Sequence, residues 1–148
     1  TTGSTMTVGS EQKSGKGIYR ITGTRKTVTF VKPMNDKNTS FNVPASVKLA
    51  DGRYKVTAID KNAFKNNRKL KKVTIGSNVK KIEKNAFAGC SKLKTVNMKK
   101  ATGITSIGSK AFSKIDAKAK VTVPAKKLSK YKRMLKKAGL PKKATVKK

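Results

Sequence analysis

The 148-residue chain has no histidine, no tryptophan, one cysteine and six acidic side chains. Each shortage removes a class of chemistry. Without histidine there is no Ser-His or Cys-His nucleophile and no His-ligated metal site. The lone thiol, Cys90, cannot form an intrachain disulfide. Bridges therefore say nothing about the redox compartment, and a disulfide-free secreted protein fits as well as a cytosolic one. No run approaches the roughly 18 apolar residues of a membrane span. Thr1 to Ser10 lacks the apolar core of a signal peptide, so the segment reads as mature or as a piece of a longer chain. Neither Gly15-Lys16-Gly17 nor Gly103 to Gly108 has the spacing or context of a phosphate-cradling loop.

The acids are Glu11, Asp36, Asp51, Asp60, Glu83 and Asp116. Asp60 and Glu83 lie at equivalent points of an internal repeat, where stacking places two carboxylates about 5 Å apart, the separation used by retaining glycosidases. Each is followed by a lysine, Lys61 or Lys84, and a turn on a narrow solenoid offers no cleft in which to raise a pKa. No catalytic, cofactor-binding or metal-ligating residue is assigned, and the chain reads as a non-enzyme.

What the chain has in excess is positive charge: 38 Lys and Arg, a formal net charge of +32. Residues 1–60 carry 10 basic and 4 acidic side chains, net +6, and residues 61–148 carry 28 and 2, net +26. Such a chain repels itself and attracts polyanions, which bears on partners and solubility and not on fold.

It also has an internal repeat. Val56, Ile59, Ala63, Phe64, Leu70, Val73 and Ile75 recur 23 residues later as Val79, Ile82, Ala86, Phe87, Leu93, Val96 and Met98. A third copy, shifted by 25, reads Ile104, Ile107, Ala111, Phe112, Val121 and Val123, with Lys118 where the Leu should stand. A fixed period in the twenties marks a solenoid, whose units bury their apolar faces only by stacking on one another. Leu-x-x-Val-x-Ile predicts a short strand with one buried face. Each Ala-Phe pair is expected on a short helical turn of an outer layer with its ring in the core, and Asn62, Asn85 and Lys110 precede these pairs on the solvent side. Cys90 falls at a position suited to a small buried residue.

Ahead of the repeats, residues 1–17 read as a flexible linker rich in Thr, Ser and Gly. Ile18 to Ile21 and Val28 to Val31, joined through Gly23-Thr24-Arg25-Lys26, predict a hairpin that shields the first open face. Phe41-Asn42-Val43-Pro44 reads as a degenerate zeroth repeat. A second hairpin is expected across Asp51-Gly52, whose residue types supply the positive φ of a tight turn. Residues 18–55 thus form an N-terminal β cap with a degenerate repeat, and residues 56–124 the three repeats. After them, Leu128, Tyr131, Leu135 and Ala138 fall on one helix face, with Gly139 as C-cap and Pro141 as stop. Residues 125–140 read as a helical cap, and residues 141–148 as a basic, frayed tail in which Val146 could add an edge contact. The opposite helix face, from Lys126 to Lys137, is basic enough to meet a polyanion or an anionic membrane; the simpler reading is a cap with a solvated outer face.

Ile82-x-x-x-Ala86-Phe87, Gly89-Cys90 and Leu93-x-x-Val96-x-Met98 resemble the BspA-like bacterial surface leucine-rich repeat family. Ile59 to Ile75 is similar with Asn66-Asn67 in place of Gly-Cys, and Ile107 to Pro124 with Lys114-Ile115 there. The resemblance implies an α/β repeat fold, a short right-handed leucine-rich-repeat solenoid with an N-terminal β-hairpin cap and a C-terminal helical cap. It also implies a secreted or cell-surface protein used in adhesion or recognition. The family has no catalytic residues or ligand contacts to carry over.

The exposed strand face is the candidate site. Asn42, Thr74, Asn97 and Thr122 are expected in one row, Lys72, Thr95 and Lys120 in the next, flanked by Lys71 and Lys94. Hydroxyl and amide groups beside cations suit a sulfated, phosphorylated or carboxylated glycan, although charged outer positions also protect a sheet from aggregation. The ligand-binding set is Lys71, Lys72, Thr74, Lys94, Thr95, Asn97, Lys120 and Thr122. Its expected partner is an anionic polysaccharide, a wall polymer or a host glycoprotein. Nonspecific nucleic-acid binding and a purely structural spacer are the competing readings, the former weakened by the lack of aromatic residues outside core positions.

Overall fold

The computed structural model describes residues 7–23 and 25–148. It opens with an antiparallel set, β1 (Glu11–Ser14), β2 (Gly17–Gly23) and β3 (Thr27–Pro33), followed by β4 (Ser40–Val43) and the hairpin of β5 (Ser46–Leu49) with β6 (Gly52–Ile59). Short parallel strands then succeed one another: β7 (Lys72–Ile75), β8 (Lys81–Ile82), β9 (Thr95–Asn97), β10 (Ser106–Ile107) and β11 (Lys120–Thr122). A 3-10 turn at Ala125–Lys127, α1 (Leu128–Lys137) and β12 (Thr145–Lys147) complete the chain.

The strands form two sheets, one ordered β1-β2-β3-β6-β8-β10 with β5 also paired to β6, the other β12-β11-β9-β7-β4. From β3 to β11 the strands go alternately to the two sheets, apart from β5, and the last turn of the chain has α1 in place of a first-sheet strand. The segment read as a zeroth repeat takes that place in the second sheet, with Phe41 opposite Val73 and Val43 opposite Ile75. The first sheet's contribution is not visible as periodicity, because β8 and β10 are 2 residues each and too short to alternate.

Between the sheets the phenylalanines stack. Phe30, Phe64, Phe87 and Phe112 follow one another at centroid separations of 5.2, 5.0 and 5.1 Å, with their planes 18°, 8° and 13° apart. Phe30 of β3 heads this ladder, so the hairpin contributes to the core. Val, Ile and Leu of the repeat are buried around the rings, apart from half-buried Ile107, with Leu93, Val96 and Met98 at 0% exposure.

The segments carrying Ala-Phe are not helical. They are successive turns in which Ala86 N–H donates to Glu83 O and Ala88 N–H to Asn85 O, while Asn85, Phe87 and Gly89 donate to Ser109, Ala111 and Ser113 of the next coil. Asn62, Asn66, Asn85, Lys110 and Lys114 have φ between 59° and 61°, and Gly89 has φ 77°. A left-handed residue at every fourth place stops a helix from propagating and turns alternate N–H groups toward the neighbouring coil. The column of turns is therefore a third hydrogen-bonded face of the solenoid.

Other expectations are corrected as well. Residues 11–17 are not a linker: β1 pairs with β2 from Glu11 opposite Arg20 to Ser14 opposite Gly17. Thr1 to Met6, and Thr24 in the first hairpin connection, lie outside the described residues. In the second hairpin Leu49 pairs with Gly52, so the connecting residues are Ala50 and Asp51, and only Gly52 takes positive φ, 134°. Lys118 does not face the core but is exposed, and the buried residues around it are Ile115 and Ala119, 5% and 0% exposed. The tail is not frayed, since β12 pairs in parallel with β11, Val146 opposite Val121.

Helix α1 buries Tyr131 and Leu135, and Gly139 follows its end with φ 88°. Phe112 N–H donates to Ala138 O, which ties the helix end to the column of turns. The Tyr131 hydroxyl donates to Ala101 O at 2.6 Å and accepts from Ile104 N–H at 3.0 Å. It thereby anchors the loop that holds the two-residue insertion between the second and third repeats, and burial raises its pKa.

Candidate binding face

Along β7, β9 and β11 the apolar residues Val73, Val96 and Val121 point inward, so the residues on either side point out. Their register is direct. Asn42 lies opposite Thr74, Thr74 opposite Asn97 and Asn97 opposite Thr122. Lys72 lies opposite Thr95 and Thr95 opposite Lys120. Both rows run further than the periodicity indicates: Ser40 joins the second row on β4, and Thr145 and Lys147 on β12 extend both at the other end. The clue to β12 is its Thr-Val-Lys sequence, the pattern of β11 with its outer residues exchanged.

Lys71 and Lys94 are exposed and stacked, Lys94 N–H donating to Lys71 O at 2.9 Å, but they precede the strands. Their column ends at buried Ala119, whose carbonyl accepts from Thr145 N–H. Structure thus brings six of the eight candidates onto one face and leaves Lys71 and Lys94 along its margin.

The face is open. A depression of about 550 Å³ is lined by Asn42, Thr74 and Asn97, with Lys99 and Lys100 beyond the strand ends. A smaller one of about 180 Å³ lies between Ser40, Asn42, Lys72 and Thr74. No carboxylate lines either depression. Among the described residues the one ion pair is Arg20 with Asp60, at 3.0 Å, and none of the face lysines takes part in it. That hydrogen bond raises the Arg20 pKa. Arg20 was not anticipated as a partner of Asp60, because the contact joins β2 to the end of β6 across 40 residues.

The remaining reactive groups are turned inward. Cys90 is 0% exposed, its thiol donates to Phe64 O at 2.9 Å, and burial pushes its pKa up to about 12, so little thiolate forms near neutrality. Tyr19 is likewise pushed up to about 12 by burial. All five Phe and all three Tyr side chains are buried. The face therefore has hydroxyls, amides and ammoniums but no ring on which a base or a sugar can stack.

Coils that give a strand to each of two sheets and pair in parallel from coil to coil, around a repeated Leu-x-x-Val-x-Ile core, define a leucine-rich-repeat solenoid. The pattern of the BspA type leucine rich repeat region occurs in six copies across residues 37–138, and the chain belongs to that family. A leucine-rich repeat protein from Bacteroides capillosus has the same fold, with TM-score 0.69 at 22% identity over 92% of this chain and 97% of its own. A leucine rich cell surface protein from Faecalibacterium prausnitzii gives 0.64 at 26% identity over 78% of this chain. A leucine-rich repeat protein from Bacteroides ovatus gives 0.59 at 25% identity over 76%. This chain spans 32% and 37% of the lengths of the last two. No curated protein matches.

Proposed function

We propose that the chain is a non-enzymatic recognition domain of a secreted or cell-surface protein. It holds anionic glycans, wall polymers or host glycoproteins on the outer face of the second sheet. The observation that carries this reading is the register that stacks Lys72, Thr95 and Lys120 beside Asn42, Thr74, Asn97 and Thr122, with no carboxylate among them. Lys71 and Lys94, on successive coils at the margin, stand within a Debye length of about 8 Å and repel one another, and a bound polyanion relieves that repulsion. Hydroxyl and amide groups alongside supply directional hydrogen bonds. The cell-surface description of the Faecalibacterium prausnitzii protein supports the location. In this reading β1 to β3 at one end, and α1 with β12 at the other, serve as caps, shielding the core where stacking stops.

The test is Lys72→Glu combined with Lys120→Glu, applied to an array of sulfated, carboxylated and neutral glycans and to isolated wall polymers. Binding to acidic members should drop at least tenfold, because two attractions become repulsions at the centre of the face. Unchanged affinity refutes the assignment. Nucleic acid is disfavoured by the burial of every aromatic ring, which leaves only salt-sensitive retention on phosphate charge.

A further inference from the structure

The outer face of the second sheet has a period longer than the coil. Its outward residues are Ser40 and Asn42 on β4, then Lys72 and Thr74 on β7. They continue as Thr95 and Asn97 on β9, then Lys120 and Thr122 on β11. A hydroxyl paired with an amide thus alternates with an ammonium paired with a hydroxyl. On β12 the first position is again a hydroxyl, Thr145, although Lys147 replaces the amide. Strands in a sheet lie about 4.8 Å apart, so Lys72 and Lys120 stand about 9.6 Å apart along the solenoid axis. A face built only to gather negative charge would carry a cation on every strand.

We infer that this face is phased to a linear glycan with one carboxylate or sulfate per disaccharide, laid across the strands along the solenoid axis. Linked pyranoses advance by close to one strand spacing per sugar, so sugars and strands run in step. The anionic sugars then meet Lys72 and Lys120, and the neutral sugar between them offers its hydroxyl or acetamido groups to Thr95 and Asn97. Both depressions reach across neighbouring strands, and both include Asn42 and Thr74. Lys71 and Lys94 stand on successive coils, so they add attraction without phase. The inference rests on the glycan reading above and narrows its ligand class.

The test measures binding of the natural chain, Thr95→Lys and Lys120→Thr to length-matched chondroitin, polygalacturonate and dextran. Chondroitin carries one carboxylate per disaccharide, polygalacturonate one per sugar and dextran none. The natural chain should bind chondroitin several-fold more tightly than polygalacturonate despite its lower charge density. Thr95→Lys, which puts a cation on three successive strands, should reverse that order. Lys120→Thr, which keeps an outward β-branched residue, should lose the chondroitin preference with an unchanged circular dichroism spectrum. If affinities follow charge density and Thr95→Lys leaves the ranking unchanged, the phasing is overturned while the anionic-polymer reading stands. If the natural chain binds neither acidic polymer, both fail.

Discussion

Replacing Phe87 by Leu keeps an apolar side chain at a site that is 0% exposed but removes the ring from between two others. Phe87 stacks on Phe64 at 5.0 Å and on Phe112 at 5.1 Å, with planes 8° and 13° apart. A stacked pair contributes about 0.5–1.5 kcal/mol beyond the area it buries, so the lost stacking costs about 1–3 kcal/mol. The imperfect fit of Leu in the vacated space adds about 1 kcal/mol. Phe112 stands at the end of the ladder, also 0% exposed, and among the described residues Phe87 is its one ring neighbour. Phe112→Leu therefore removes one stack where Phe87→Leu removes two, and the difference of about 0.5–1.5 kcal/mol isolates a single pair. In urea unfolding, Phe87→Leu should have the lower midpoint of the two at equal slope. The double variant should cost less than the sum, since the shared stack is then counted once. A Phe112→Leu midpoint at or below that of Phe87→Leu, or strict additivity, would show that the rings only fill space.

Two further substitutions probe close approach and burial. A Cβ on Gly108 would overlap Lys84 N and lie 2.7 Å from Glu83 C, both backbone atoms of the preceding coil. Gly108→Ala should lower stability by about 1–3 kcal/mol in thermal unfolding, while Gly103→Ala, with nothing within 4 Å, leaves it unchanged. Equal melting of the two variants would disprove the contact. Cys90 has its pKa raised by burial from 9.0 to about 12, so above pH 9 the unfolded chain binds fewer protons than the folded one. Its effect on stability is nil below pH 9, and stability falls as the pH rises from 9 toward 12. Cys90→Ala should remove that component, seen as a smaller loss of melting temperature between pH 7 and 10 than in the natural chain. An identical loss in both would assign the fall elsewhere.

The repeat was legible because stacking demands the same apolar residues in every coil, and a missing Val or Phe leaves a hole that neighbours cannot fill. That single constraint yields the second sheet, the zeroth repeat and the rows of the candidate face. Other features obey rules that short-range patterns do not carry. A two-residue strand such as β8 is defined by its neighbours' hydrogen bonds and has no alternation to display. The column of turns did leave a trace, Asn62 with Asn66 and Asn85 with Gly89, residue types that accept positive φ at a spacing of four. Lys110 and Lys114 obscure it in the third coil, where tertiary stacking imposes the same φ on side chains that rarely adopt it. The strand character of β1 and β12 depends on an adjacent sheet edge, so Gln12 and Lys147 look like linker and tail until their partners Tyr19 and Thr122 are placed.

The same division separates what stabilises the fold from what is free to bind. Turn and strand backbones bond from coil to coil, the rings stack within, and in a chain of net charge +32 the described residues form one ion pair. The face lysines therefore form no ion pair that holds the solenoid together, and their mutual repulsion opposes it. A surface that served only to keep the chain soluble would tolerate a mixture of signs, and mixed signs would relieve that repulsion at no cost to the core. The second sheet's outer face keeps one sign of charge, whereas Asp60 is paired with Arg20 near the other sheet; on the function proposed above, a bound polyanion supplies the opposite charge. Salt should then act on the molecule in opposite senses: screening eases the self-repulsion and favours the fold, while weakening the polyanion binding proposed for the face.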